Sequence, residues 1–135
     1  MRIDTRTVLK DYEGNDIQNP DQNSNGKVEM KPLTILNALI TALNDPAILL
    51  TPDGKPMIDG RGLPVYELFT AEQKGRSAQL STKLYTNHEV DFTPDEIAYL
   101  KIRIDKVWNS PLIVSKLLAV FDPPSENQEK EEIQS

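Results

Sequence analysis

Thr93-Pro94-Asp95-Glu96 constrains the fold more tightly than any other stretch of the chain, because it dictates where a helix begins. A threonine hydroxyl at the cap accepts from the backbone N–H three residues on, proline suits the first helical position, and Glu96 reaches back to the cap's own N–H. Such a box is worth roughly 1 kcal/mol of helix stability. Beyond it Ile97, Leu100, Ile104, Val107 and Trp108 recur at helical spacing, which predicts one apolar stripe on a helix ending near Asn109. Ser110 then caps a last helix that starts at Pro111, carries Leu112, Val114, Leu117, Leu118 and Phe121, and stops at Asp122-Pro123-Pro124. Two consecutive amphipathic helices must bury their stripes against other elements, so this half of the chain commits it to helix packing.

Upstream, Leu33, Leu36, Leu39, Ile40 and Leu43 predict a helix over 32–44, ended by Asn44-Asp45-Pro46. A further helix begins near Pro64 or Thr70 and runs to about Asn87, on a stripe of Tyr66, Phe69, Gln73, Ser77, Leu80 and Leu84 whose middle is polar. Between these two, Thr51 to Pro64 holds turn chemistry twice over and reads as a long connection with room for a short hairpin. Residues Arg2 to Leu9 alternate like a strand, and the turn around Gly14-Asn15 predicts a hairpin over 2–17 that returns through Ile17. The stretch 18–31 is almost wholly polar and reads as an exposed loop. No internal repeat is evident. The expected organisation is thus one globular domain over 1–123, with a helical core over 32–122, followed by an acidic flexible tail over 124–135. The expected class is mainly α with a small N-terminal β element (α+β), a compact bundle of about four helices plus a β-hairpin.

Charge narrows the partners. The 135 residues are 38% hydrophobic and 27% charged, with a net charge of −6. Lys74, Arg76, Lys83, Lys101, Arg103 and Lys106 are interleaved with acids, the pattern of solvated helix faces, so direct nucleic-acid binding is not expected. With no cysteine there is no disulfide, thiolate metal site or cysteine nucleophile, which fits a reducing cytosol. The first residues contain no apolar run and no stretch is long enough to span a membrane, so the expectation is a cytoplasmic protein without a signal or a membrane contact.

The candidates for chemistry are sparse. Asp21, Asn23 and Asn25 followed by Gly26 match the start of a calcium loop, with Glu29 at the ninth position, but the twelfth is Pro32 where a bidentate glutamate belongs. A polar turn accounts for the same residues, and no metal or other cofactor is expected. His88 is the single histidine and sits near a helix C-terminus, where the dipole favours it. No nucleophile elbow accompanies it. The carboxylates Asp91, Asp95 and Glu96 are explained by helix-start electrostatics. Asp59-Gly60-Arg61-Gly62 is a turn without a phosphate-loop lysine, though Arg61 at its tip is placed to touch a partner. Aromatic residues supply the remaining contact candidates. Tyr99 lies opposite the Ile97-Leu100-Ile104 stripe with Ile102 nearby, and Trp108 closes the helix where it faces either the core or a partner, so Tyr99, Ile102, Trp108 and Arg61 are the candidate partner-binding residues.

The order of elements resembles that of small proteins of tailed phages and prophages. The shared features are the strand Ile3-Asp4-Thr5-Arg6-Thr7-Val8-Leu9 with its Gly-Asn turn, the helix Pro32-Leu33-Thr34-Ile35-Leu36-Asn37-Ala38-Leu39, the start Phe92-Thr93-Pro94-Asp95-Glu96-Ile97, and Ser110-Pro111-Leu112-Ile113-Val114. The likeness spans most of residues 1 to 122 and transfers no functional residue. It implies a phage-encoded, non-enzymatic accessory protein that binds and modulates a host or phage protein through a helical surface. The alternative is a particle or assembly component, for which self-association is the distinguishing property.

Overall fold

In a computed structural model, residues 2–22 and 25–122 are described; the expected tail at 124–135 and Asn23 of the calcium-loop reading lie outside them. In chain order the elements are β1 (Arg2–Asp4), β2 (Gln18–Gln22), β3 (Val28–Pro32), α1 (Ile35–Asn44), α2 (Ala71–Thr86), β4 (Glu89–Asp91), α3 (Pro94–Val107) and α4 (Pro111–Phe121). The architecture is α+β: four helices and short antiparallel strands among the described residues.

Each helix starts where its cap dictates. Thr93 and Thr70 both form full capping boxes, with Glu96 and Gln73 as the reciprocal partners, while Thr34 and Ser110 accept from Asn37 N–H and Ile113 N–H. The box at Thr70 therefore decides the start of α2 in favour of the later of the two expected positions. Likewise α1 starts at Ile35 and not at Pro32, because Leu33 has its backbone N–H and C=O committed to Ile17 and Leu9. Helix α1 packs against both α2 and α3, and α4 packs on α3. Leu39, Leu43, Leu84, Leu100, Ile104 and Leu117 meet in the fully buried centre. Each contributes on the order of 2 kcal/mol by leaving water. The polar middle of the α2 stripe has a partner inside: Ser77 Oγ and Tyr99 OH are 2.7 Å apart, both buried.

The expected turn at Gly14-Asn15 does return through Ile17, whose N–H donates to the Leu9 carbonyl, but the strand before it departs from expectation. Only Arg2–Asp4 is a strand, and it pairs antiparallel with β4, Ile3 opposite Val90. Thr5 extends this by donating from N–H and Oγ1 to the His88 carbonyl, 2.8 and 3.0 Å. The polar stretch expected as a loop over 18–31 is also corrected. It contains the β2–β3 hairpin, with Gln18 opposite Pro32 and Gln22 opposite Val28. All five residues of β3 are exposed, so the short alternation of Val28 and Met30 with Glu29 and Lys31 marks no buried face.

A repeat invisible in the sequence emerges from the backbone bonds. In residues 7–35 three short arms meet in a ring: Leu9 N–H donates to Leu33 C=O, Leu33 N–H to Ile17 C=O and Ile17 N–H to Leu9 C=O, at 2.8, 2.8 and 2.9 Å. In residues 47–67 the ring recurs, with Leu49 N–H to Val65 C=O, Val65 N–H to Met57 C=O and Met57 N–H to Leu49 C=O, at 2.8, 2.9 and 2.8 Å. The closing bonds correspond too, Ile35 N–H to Thr7 C=O and Glu67 N–H to Ala47 C=O. The two rings are called here the first and second β-modules, and each leads into a helix, α1 or α2. Their turns share one construction. Asp11, Thr51 and Asp59 each donate N–H to the carbonyl four residues on and accept from a glycine N–H three residues on. The glycines, Gly14, Gly54 and Gly62, all have φ between 81° and 86°, which a side chain disfavours. The long connection expected over 51–64 is therefore a folded unit.

Candidate docking surface

Alternation along each arm of a module sends the central residue to one face and its two neighbours to the other. In the first module the central residues are Leu9, Ile17 and Leu33, all buried in the main core. Their neighbours form the bridge pairs Val8 with Thr34, Lys10 with Asp16 and Gln18 with Pro32. This outer face is mostly polar and includes a Lys10–Asp16 ion pair. It is the normal arrangement of a half-buried β element.

The second module breaks that pattern. Its bridge pairs are Ile48 with Tyr66, Leu50 with Pro56 and Ile58 with Pro64, every position apolar. Ile48, Leu50, Ile58 and Tyr66 are 40%, 60%, 53% and 49% exposed. Leu63 and Leu68, next in the chain to Pro64 and Glu67, are also exposed, at 51% and 93%. Isolated exposed apolar residues are ordinary, whereas Ile48, Leu50, Ile58 and Tyr66 occupy bridged positions on one face of a single module.

The module is held to the helical body by a buried ion pair. Arg103 of α3 is fully buried, and its Nη1 donates to Glu67 Oε1 at 2.5 Å. The same guanidinium donates to the Ala42 and Asp45 carbonyls at 3.0 and 2.8 Å and lies 4.6 Å from the Phe69 ring. It thus satisfies the negative end of α1 while holding the exit of the second module. Glu67 also accepts from Ala47 N–H at 3.1 Å, and Lys106 lies 3.8 Å away. Burial would raise the Glu67 pKa, but the Arg103 hydrogen bond, the Ala47 N–H and the two cations outweigh it, and the carboxyl sits below the ordinary glutamate range. Arg103 corrects the expectation of a solvated basic face. Its position three residues after Leu100 and directly before Ile104 places it on the apolar stripe, and that is the signal that could have found it.

The expected partner-binding residues do not form one patch. Tyr99 is corrected: it is 9% exposed, its OH contacts Ser77 and donates to the Gln73 carbonyl at 3.2 Å, and the Arg76 guanidinium covers its ring at 5.8 Å. Trp108 is half-buried against the core, its Nε1 donating to the Ala38 carbonyl at 3.0 Å. Ile102 is 56% exposed on α3 without Tyr99 beside it at the surface. Arg61 lies exposed at a turn tip of the second module, where Asp59 Oδ1 accepts from Arg61 N–H and Leu63 N–H. Those two N–H groups hold the Asp59 carboxyl below its usual range.

The residues considered for chemistry are likewise dispersed. His88 is exposed at the end of α2, and Asp91 and Asp95 are exposed in β4 and the first turn of α3. Asp21 stands in β2 opposite Glu29, so its backbone is extended in a ladder and does not wrap a loop centre. Among the described residues no group of three His, Cys, Asp or Glu is placed to share a metal ion. A depression between α2 and α3, lined by Arg76, Gln79, Glu96 and Tyr99, measures about 120 Å³, and another near Asn19, Lys31 and Asn37 about 270 Å³. Both fall below the roughly 300–1,000 Å³ of small-molecule sites. No helix among the described residues is long and apolar enough to cross a membrane. Comparison with protein-family models, with characterised proteins and with solved structures finds no match to this chain.

Proposed function

We propose that this is a non-enzymatic, protein-binding accessory protein, in keeping with its resemblance to small tailed-phage proteins, and that its working surface is the outer face of the second β-module. One observation carries the reading: two copies of the same scaffold lie in one chain, and only the second carries apolar residues at all six outer positions. This moves the binding surface from the helices, where the sequence suggested it, to the β-module between α1 and α2. Ile102 is the one apolar helical candidate that remains exposed.

The test is replacement of Leu50 and Ile58 by lysine in the tagged full-length chain, followed by recovery of bound protein from a bacterial lysate. Both positions are more than half exposed, so the fold should persist, which the circular dichroism spectrum and melting curve verify. Stoichiometric binding by the parent chain that the double variant loses supports the reading. Identical binding by two equally folded chains removes it.

A further inference from the structure

Resting on that reading, we propose that the occupant of the second module's outer face is a second copy of this chain, joined to the first by a two-fold contact of Ile48, Leu50, Ile58 and Tyr66 with the same residues of its partner. Area is the first ground. These four residues expose on the order of 400 Å² of apolar-residue surface, about half of the ~800 Å² per partner of a standard protein interface and the size of a weak, reversible contact.

Charge is the second ground. The chain carries −6 overall, and two copies repel where acids cluster, as they do in residues 11–21 and 89–96. Residues 46–66 carry no net charge, because Asp53 and Asp59 are balanced by Lys55 and Arg61. Each acid lies beside its base at a turn tip, with Lys55 Nζ 4.0 Å from Asp53 and Arg61 Nη2 3.5 Å from Asp59. A two-fold contact presents each tip with both signs on the facing copy, so no like-charge encounter is forced. Pro56 and Pro64 remove two backbone N–H groups from the outer positions, so the contact forms through side chains and does not propagate as an open-ended β ladder.

The experiment is analytical ultracentrifugation of the full chain from about 1 to 200 μM, a span across which dissociation constants in the micromolar range are read directly. It compares the parent, Leu50→Lys/Ile58→Lys, and Ile102→Lys as a control at an exposed apolar residue elsewhere. The expected result is a concentration-dependent dimer for the parent and for Ile102→Lys, with at least a tenfold weaker association or a monomer for the double variant. A parent that stays monomeric throughout overturns the proposal, as does a dimer that the double variant retains at full strength. A monomeric parent that still captures a lysate protein, and loses it in the double variant, overturns the second-copy occupant while leaving the docking face in place. A monomer with no variant-sensitive capture overturns both.

Discussion

The two β-modules have the same ring of three hydrogen bonds and the same glycine turn between their first two arms, yet they are used in opposite ways. In the first, Leu9, Ile17 and Leu33 are sealed in the core and the outer face is polar, with Lys10 beside Asp16. In the second, Leu49 is 39% exposed, Met57 and Val65 are half-buried, and the outer face is apolar. Identical backbone bonding therefore does not decide what a module contributes. The first is a part of the core, and the second projects from it, held at its exit by Arg103 and Glu67.

That contrast can be broken by experiment. The largest effect is expected at the clamp. Glu67→Gln leaves the buried Arg103 charge without its counter-ion and should cost about 3–5 kcal/mol in a denaturant titration. A cost below about 1 kcal/mol would mean that the second module is not held through this pair. The pH dependence follows from the same group. Because the folded-state pKa of Glu67 is lowered, its stabilisation is complete above the unfolded-state value and is lost as pH falls through the folded-state value. The stability gap between the parent and Glu67→Gln should accordingly narrow on acidification, and a gap that widened would refute the sign.

Next in size is the difference between the two rings of central residues. Leu33→Ala should cost roughly 2–5 kcal/mol, as for a fully buried leucine, whereas Leu49→Ala should cost about 1 kcal/mol or less under dilute, monomeric conditions. Equal melting temperatures for the two variants would erase the distinction between core and projecting module. Thr93→Ala should lower stability by about 1 kcal/mol, and Thr70→Ala by a similar amount, since each removes one side of a capping box. The smallest expected change comes from transplanting the first module's ion pair into the second. Leu50→Lys with Pro56→Asp should alter monomer stability by no more than about 0.5 kcal/mol while weakening association, which separates the docking role from folding.

The helices were legible because their signals are local. Thr93, Pro94 and Glu96 act within one turn, and the stripes of α1, α3 and α4 repeat within a few residues, so no distant partner is needed to read them. Even α2 carried its own cap, Thr70 with Gln73, although its stripe alone left the start open. The strands were not legible in the same way. β1 pairs with β4 from the far end of α2, and β3 has no buried face, so neither pairing could be read from a buried apolar period. Tyr99 was placed outside because it lies off the α3 stripe drawn through Ile97, Leu100, Ile104, Val107 and Trp108; α2 covers the adjoining side and supplies Ser77 to its hydroxyl.

By itself, then, the sequence determined that four helices form and where α3 and α4 begin, that the chain would be acidic and able to form a core, and that cysteine chemistry is absent. Only the tertiary structure decided that Arg103 is interior, that residues 47–67 repeat the plan of residues 7–35, and that one of the two units keeps its apolar side chains in water. The physical reason is range. Caps and helical periods depend on neighbours within a turn, whereas the burial of a charge or the covering of a face depends on which distant elements arrive beside it.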